Sequence, residues 1–138
     1  EDWSDERFMA LSRRIAYFNV LSRPGLLGRM FFPESSGWRR ALKERAARRI
    51  VARRFGITAS RYPLDVEKAR TAAGVAVARL SGRPYLVDDG LTIADLALAT
   101  MSAPLAADRG LAADPAVSAL LRWDAGIVGG DVMAAYGG

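Results

Sequence analysis

Apolar positions recur at three- and four-residue steps along most of this chain, the period of helices that bury one face. In SDERFMALSRRIAYFNVLSR the stripe is Phe8, Leu11, Ile15 and Phe18. Ser4 is placed to cap this first helix, with Asp5 and Glu6 in its opening turn against the helix dipole. Pro24 ends it, because proline disfavours a helical residue before it. Residues 24–37 hold two prolines, three glycines and a Ser-Ser pair, so they read as a long connection. Leu26, Leu27, Met30, Phe31 and Phe32 make that connection too apolar to remain in solvent, and it should pack down.

WRRALKERAARRIVARRF predicts a second helix that sorts badly on a wheel. Trp38, Leu42 and Ala46 form one stripe, with Val51 and Phe55 nearly opposite, so the helix either bends or is gripped on two sides. Gly56 is its stop. A third helix runs from about Asp65 to Leu80, with Val66, Ala69, Ala73, Val77 and Leu80 in register, and Gly74 leaves room for another backbone. GRPYLVDDG reads as extended, bounded by Pro84 and an Asp88-Asp89-Gly90 turn. It is the single strand-like piece and has no partner. TIADLALATMSAPLA is apolar nearly all round, which places a fourth helix at the centre of the core, and Pro104 ends or kinks it. Asp114 and Pro115 are the N-cap and first residue of another helix. Gly126, Gly129 and Gly130 then interrupt the tail, and residues 131–136 form a last turn. The prediction is one all-α domain over residues 1–138, a bundle of five or six helices.

Composition narrows the chemistry. The 138 residues include no cysteine and no histidine. Disulfides, thiolate metal sites, a Cys nucleophile, a Ser-His-Asp triad and imidazole ligands are therefore excluded. No apolar run approaches the ~18 residues that cross a bilayer, and no signal peptide opens the chain, so the expectation is a cytoplasmic protein without a membrane partner. The chain begins at Glu1, which suggests part of something longer. Charge is lopsided: residues 1–55 carry thirteen Lys/Arg against six Asp/Glu, and residues 82–138 carry three against seven. Asp88 and Asp89 are adjacent and point apart, so they make a turn and no metal site.

One carboxylate stands on an apolar segment, Asp95 in GLTIADLALA. With Thr92 as N-cap, Asp95 falls at N3, the reciprocal arrangement of a capping box, and Leu91 can meet Leu96 as a hydrophobic staple. A cap of this kind contributes about 1 kcal/mol, and more when buried. Asp95 therefore reads as a structural residue.

The segment RPYLVDDGLTIADLALATMSAPL, residues 83–105, resembles the part of cytosolic glutathione transferases where an extended run leads into LTIADL and the central helix of the C-terminal domain. EDWSDERF looks like the start of that domain's first long helix. The resemblance implies a bundle of the glutathione transferase C-terminal type. It also implies that the glutathione site and the catalytic residue belong to a thioredoxin-like domain that this chain lacks. No residue here is then catalytic. The chain alone binds no cofactor, glutathione being the co-substrate of the intact protein. Its share is the pocket wall for a hydrophobic electrophilic small molecule, together with homodimer contacts. By the same resemblance one face of the first helix fronts the cleft, with Met9, Arg13, Arg14 and Tyr17 on its flank and Trp3 near the linker as substrate-binding candidates.

Two other functions fit the same residues. Domains of this shape also serve as non-catalytic assembly modules, and nothing in the sequence argues against that. Nucleic-acid binding through RRALKERAARRIVARR is disfavoured, because its seven arginines and one lysine scatter around the helix with no aromatic residue interleaved.

Overall fold

The computed structural model describes the backbone of residues 5–87 and 89–129 and the side chains of residues 8–87 and 89–129. Among the described residues there are seven α-helices, one 3-10 helix and no strand. They are α1 (Asp5–Ser22), α2 (Leu26–Phe31), α3 (Gly37–Phe55), α4 (Tyr62–Leu80), α5 (Ile93–Ser102), the 3-10 helix Ala103–Ala107, α6 (Arg109–Ala112) and α7 (Pro115–Val128). The all-α expectation holds. The count of five or six rises because two short helices form inside segments read as connections. Ser4, Trp3, Asp88 and the turn at 131–136 lie outside the described residues.

The core is built by α1, α4, α5, the 3-10 helix and α7. Phe8, Leu11 and Ile15 of the α1 stripe are buried, and they meet Ala69, Ala73, Met101, Leu105, Leu120 and Leu121. Phe18, fourth in that stripe, is only partly buried and stacks on Tyr62 at 4.0 Å between ring centroids. Alanines at 69 and 73 let α1 and α7 both approach α4 closely. Asp114 caps α7 by accepting from the Ala116 and Val117 amides, and Pro115 opens the helix where its missing N–H costs nothing.

Three expectations need correction. α5 is not the centre of the core: Ile93 is 86 % exposed and Leu96 is also exposed. The helix is ten residues long and packs on α1, α7 and the 3-10 helix, so its remaining apolar face stays in solvent. Gly74 makes no close contact, since a Cβ built there meets nothing within 4 Å. α3 is gripped on one side. Its inner arc of Glu44, Arg48, Val51 and Phe55 is at least partly buried, whereas Trp38, Leu42, Arg45, Ala46, Arg49 and Ile50 are exposed. The close approach occurs instead at Gly28, where a Cβ would lie 2.7 Å from the Glu44 carboxylate and 3.1 Å from the Arg40 side chain. That gap seats α2 on α3. Glu44 completes the junction by accepting from the Gly25 amide at 3.0 Å and lying 3.7 Å from Arg48, which itself donates to the Leu21 carbonyl.

Candidate functional site

The capping box at the start of α5 is present, and its acidic half carries the main bonds. Oδ2 of Asp95 accepts from the Thr92 amide at 2.8 Å and from the Thr92 hydroxyl at 2.7 Å. Oδ1 accepts from the Leu86 amide at 2.8 Å. The Thr92 hydroxyl thus directs its proton at the carboxylate, and the Asp95 amide reaches the Thr92 carbonyl at 3.2 Å. Burial alone would push the Asp95 carboxyl up; the hydroxyl and amide donors outweigh it and hold the group below its ordinary range. Three donors meet the two oxygens, so this carboxylate stays ionised and holds Leu86 and Thr92 at the start of α5. Leu91 and Leu96, expected to staple the cap, are both exposed.

The substrate-binding candidates on α1 do not converge. Met9 packs against the core. Arg13 and Tyr17 turn towards α3, where the Tyr17 ring lies 4.8 Å from that of Phe55 and the Arg13 guanidinium sits 5.9 Å over the same ring. Arg14 turns the other way, towards α4, and forms a two-pronged ion pair with Asp65 at 2.8 and 2.9 Å. This hydrogen bonding to Asp65 raises the Arg14 guanidinium further above its usual range against the opposing effect of burial. The single-turn steps from 13 to 17 place those two side chains on one side, and a one-residue shift sends Arg14 a quarter-turn away.

A cleft of about 730 Å³ opens between α1 and α4, within the range of small-molecule sites. Phe8, Leu11, Ala72 and Val75 give it an apolar lining, and Arg14, Arg61 and Lys68 stand on it with Glu67. Lys68, Ala72 and Val75 recur at four and three residues and so share one face of α4. Space exists there because Ala10 and Ala72 both line the cleft with methyl groups only. Asp65, buried at the first turn of α4, fixes Arg14 and lies 3.8 Å from Arg61, whereas Glu67 pairs with Arg70 at 2.6 Å. Cations therefore predominate on the cleft itself. Of the sequence candidates among the described residues, only Arg14 lines it. Asp65 was missed because its partner is 51 residues away, and no local pattern reveals such a pair.

Two other buried carboxylates lie elsewhere. Asp108 caps α6 by accepting from the Leu111 amide at 3.0 Å, and it also accepts from Asn19 at 3.2 Å and from the Tyr62 hydroxyl. These donors outweigh the upward push of burial and hold its carboxyl down, while burial and the Asp108 contact push the Tyr62 phenol up. Tyr62 is thus a donor to structure and a poor nucleophile. Asp124, on α7, has one oxygen with no partner and the other 3.5 Å from the Ser102 hydroxyl; burial pushes it up to about 6. It does not line the cleft.

The cleft is consequently equipped to bind, with apolar walls and guanidinium and ammonium groups at its edge, and none of its described lining residues is set up as a nucleophile. Among the described residues no group of three or more carboxylates is arranged to hold a metal ion, and no helix is long and apolar enough to cross a membrane. Comparison with family models, curated proteins and solved structures finds no match to this chain.

Proposed function

We propose that this chain is the helical domain of a glutathione transferase-like protein and supplies one wall of a pocket for a hydrophobic electrophilic small molecule. The observation that carries the reading is the α1–α4 cleft, whose apolar lining and cationic edge suit an aromatic or alkyl body bearing an anionic group. A glutathione conjugate has that composition. The capping box that anchors residues 86–92 to α5 supports the same reading, because the LTIADL segment carries the resemblance. In this account thiol activation belongs to another domain, and the present chain contributes binding surface in the cytoplasm. Val87, Leu91, Ile93 and Leu96 offer an exposed apolar surface for the subunit contact of a homodimer.

Calorimetric titration with glutathione, and separately with an S-alkyl glutathione conjugate, tests this. The reading expects no heat from glutathione alone and saturable binding of the conjugate. Micromolar binding of glutathione itself would defeat it, because the glutathione site would then lie in the helical chain. An assembly module that binds neither ligand is the alternative, favoured by the same exposed apolar residues.

A further inference from the structure

The outer arc of α3 is the feature of the molecule that the cleft leaves unexplained. At about 100° per residue, Trp38, Arg39, Leu42, Arg45, Arg49, Ile50 and Arg53 share an arc somewhat under half a turn wide. Every one of them is exposed, and Trp38, Leu42 and Ile50 are exposed to 72 %, 61 % and 67 %. The arc contains no acidic residue: the single carboxylate of α3, Glu44, is turned inward, buried, and committed to the Gly25 amide and Arg48. On α2, Met30 and Phe31 are exposed as well. Among the described residues α3 packs chiefly against α1 and α2, and its outer arc is exposed as a ridge.

We infer that this ridge is a docking face for an anionic lipid surface. A tryptophan and a leucine one turn apart, with an isoleucine two turns further on, present apolar matter to the interface of a bilayer, and the arginines between them are spaced to meet headgroup phosphates. This is surface adsorption by one face of a helix and requires no spanning segment. A second copy of the chain fits poorly, since two such arcs would set arginine against arginine with no carboxylate between them. A nucleic-acid backbone would satisfy the arginines and leave Trp38, Leu42 and Ile50 against phosphates, where they gain nothing. A bilayer surface satisfies both sets at once. The inference concerns a face distinct from the α1–α4 cleft and stands or falls separately from it.

Cosedimentation of the chain with vesicles provides the test, using phosphatidylcholine alone and phosphatidylcholine containing about one-third phosphatidylserine. Binding is expected to the anionic vesicles and not to the neutral ones. Replacing Arg45→Gln and Arg49→Gln together should weaken it roughly twenty-five-fold, at an anionic-surface attraction worth about fivefold per arginine. Replacing Leu42→Ser and Ile50→Ser should weaken it by a comparable amount and leave the helical circular dichroism unchanged, both positions being exposed. Fluorescence that shifts to the blue on vesicle addition, and no longer does so in Trp38→Phe, would place the ridge at the interface. Failure to bind anionic vesicles overturns the inference. So does binding that is insensitive to the Leu42/Ile50 change, which would reduce it to general basicity. Displacement from vesicles by a polyglutamate peptide or duplex DNA at equal charge concentration would assign the face to an acidic macromolecule.

Discussion

The Asp95 carboxylate accepts from the amide of Leu86, nine residues upstream, at 2.8 Å. That bond converts a local helix cap into a tie between the bend-rich segment after α4 and the start of α5. Asp95→Ala removes an ionised acceptor and leaves the partly buried amides of Thr92 and Leu86 without it. We expect a loss of about 3 kcal/mol, and a fall in thermal midpoint of roughly 10 °C. Ligand affinity per folded molecule should not change, because Asp95 does not line the cleft. Denaturant unfolding with a parallel ligand titration checks both halves.

Asp124 makes stability depend on pH in the opposite sense to Asp95. Its folded pKa, about 6, lies above the ~3.9 of an unfolded aspartate. The native state therefore holds more protons between those values, and stability falls as pH rises from about 4 to about 6. Asp95 and Asp108 have lowered pKa values, so their contribution is present above about pH 4 and is lost as pH falls through the folded values. Asp124→Asn should stabilise the protein at pH 7 by on the order of 2 kcal/mol, with the gain vanishing near pH 4. Urea midpoints at the two pH values measure it.

Arg14 and Asp65 close the inner side of the cleft as a largely buried ion pair. Asp65→Ala leaves the guanidinium without its partner and is expected to cost about 3 kcal/mol. Adding Arg14→Met should recover much of that loss, because the uncompensated charge is gone. A double-mutant cycle reads the coupling, and additive losses would contradict the pairing.

Among the described residues Ile93 is the most exposed of the large apolar side chains, and it occupies the first position of α5. Ile93→Glu puts a negative charge at a helix N-terminus, which is favourable by a few tenths of a kcal/mol. Folding stability should hold or rise slightly. If the Val87–Leu96 surface is a subunit contact, sedimentation velocity will show the variant as a monomer under conditions where the parent chain associates.

Local rules reached the features whose causes are local. The α1 stripe, the Asp114-Pro115 start of α7 and the Thr92/Asp95 pair each follow from residues within four positions of one another. The failures share a different cause. The length of α5 in contact with neighbours is set by α1 and α7, so an all-round apolar pattern did not say which face would remain exposed. α2 forms within a Pro- and Gly-flanked segment because Gly28 seats it on Glu44 of α3, sixteen positions later. The cleft depends on Ala10 facing Ala72 and on Arg14 meeting Asp65, pairings made by the packing of α1 on α4. The resemblance to the glutathione transferase helical domain rests on the segment around the cap and leaves that packing open.

The central claim is that the α1–α4 cleft is a binding site for an apolar ligand with an anionic group. Titration of an S-alkyl glutathione conjugate into the parent chain and into Val75→Trp tests it most directly, because the indole would occupy the cleft from an exposed position. Saturable binding to the parent chain is expected, weakened at least tenfold in the variant, with thermal midpoints that agree within about 2 °C. Equal affinity in the two proteins, or no binding to the parent chain, would contradict it.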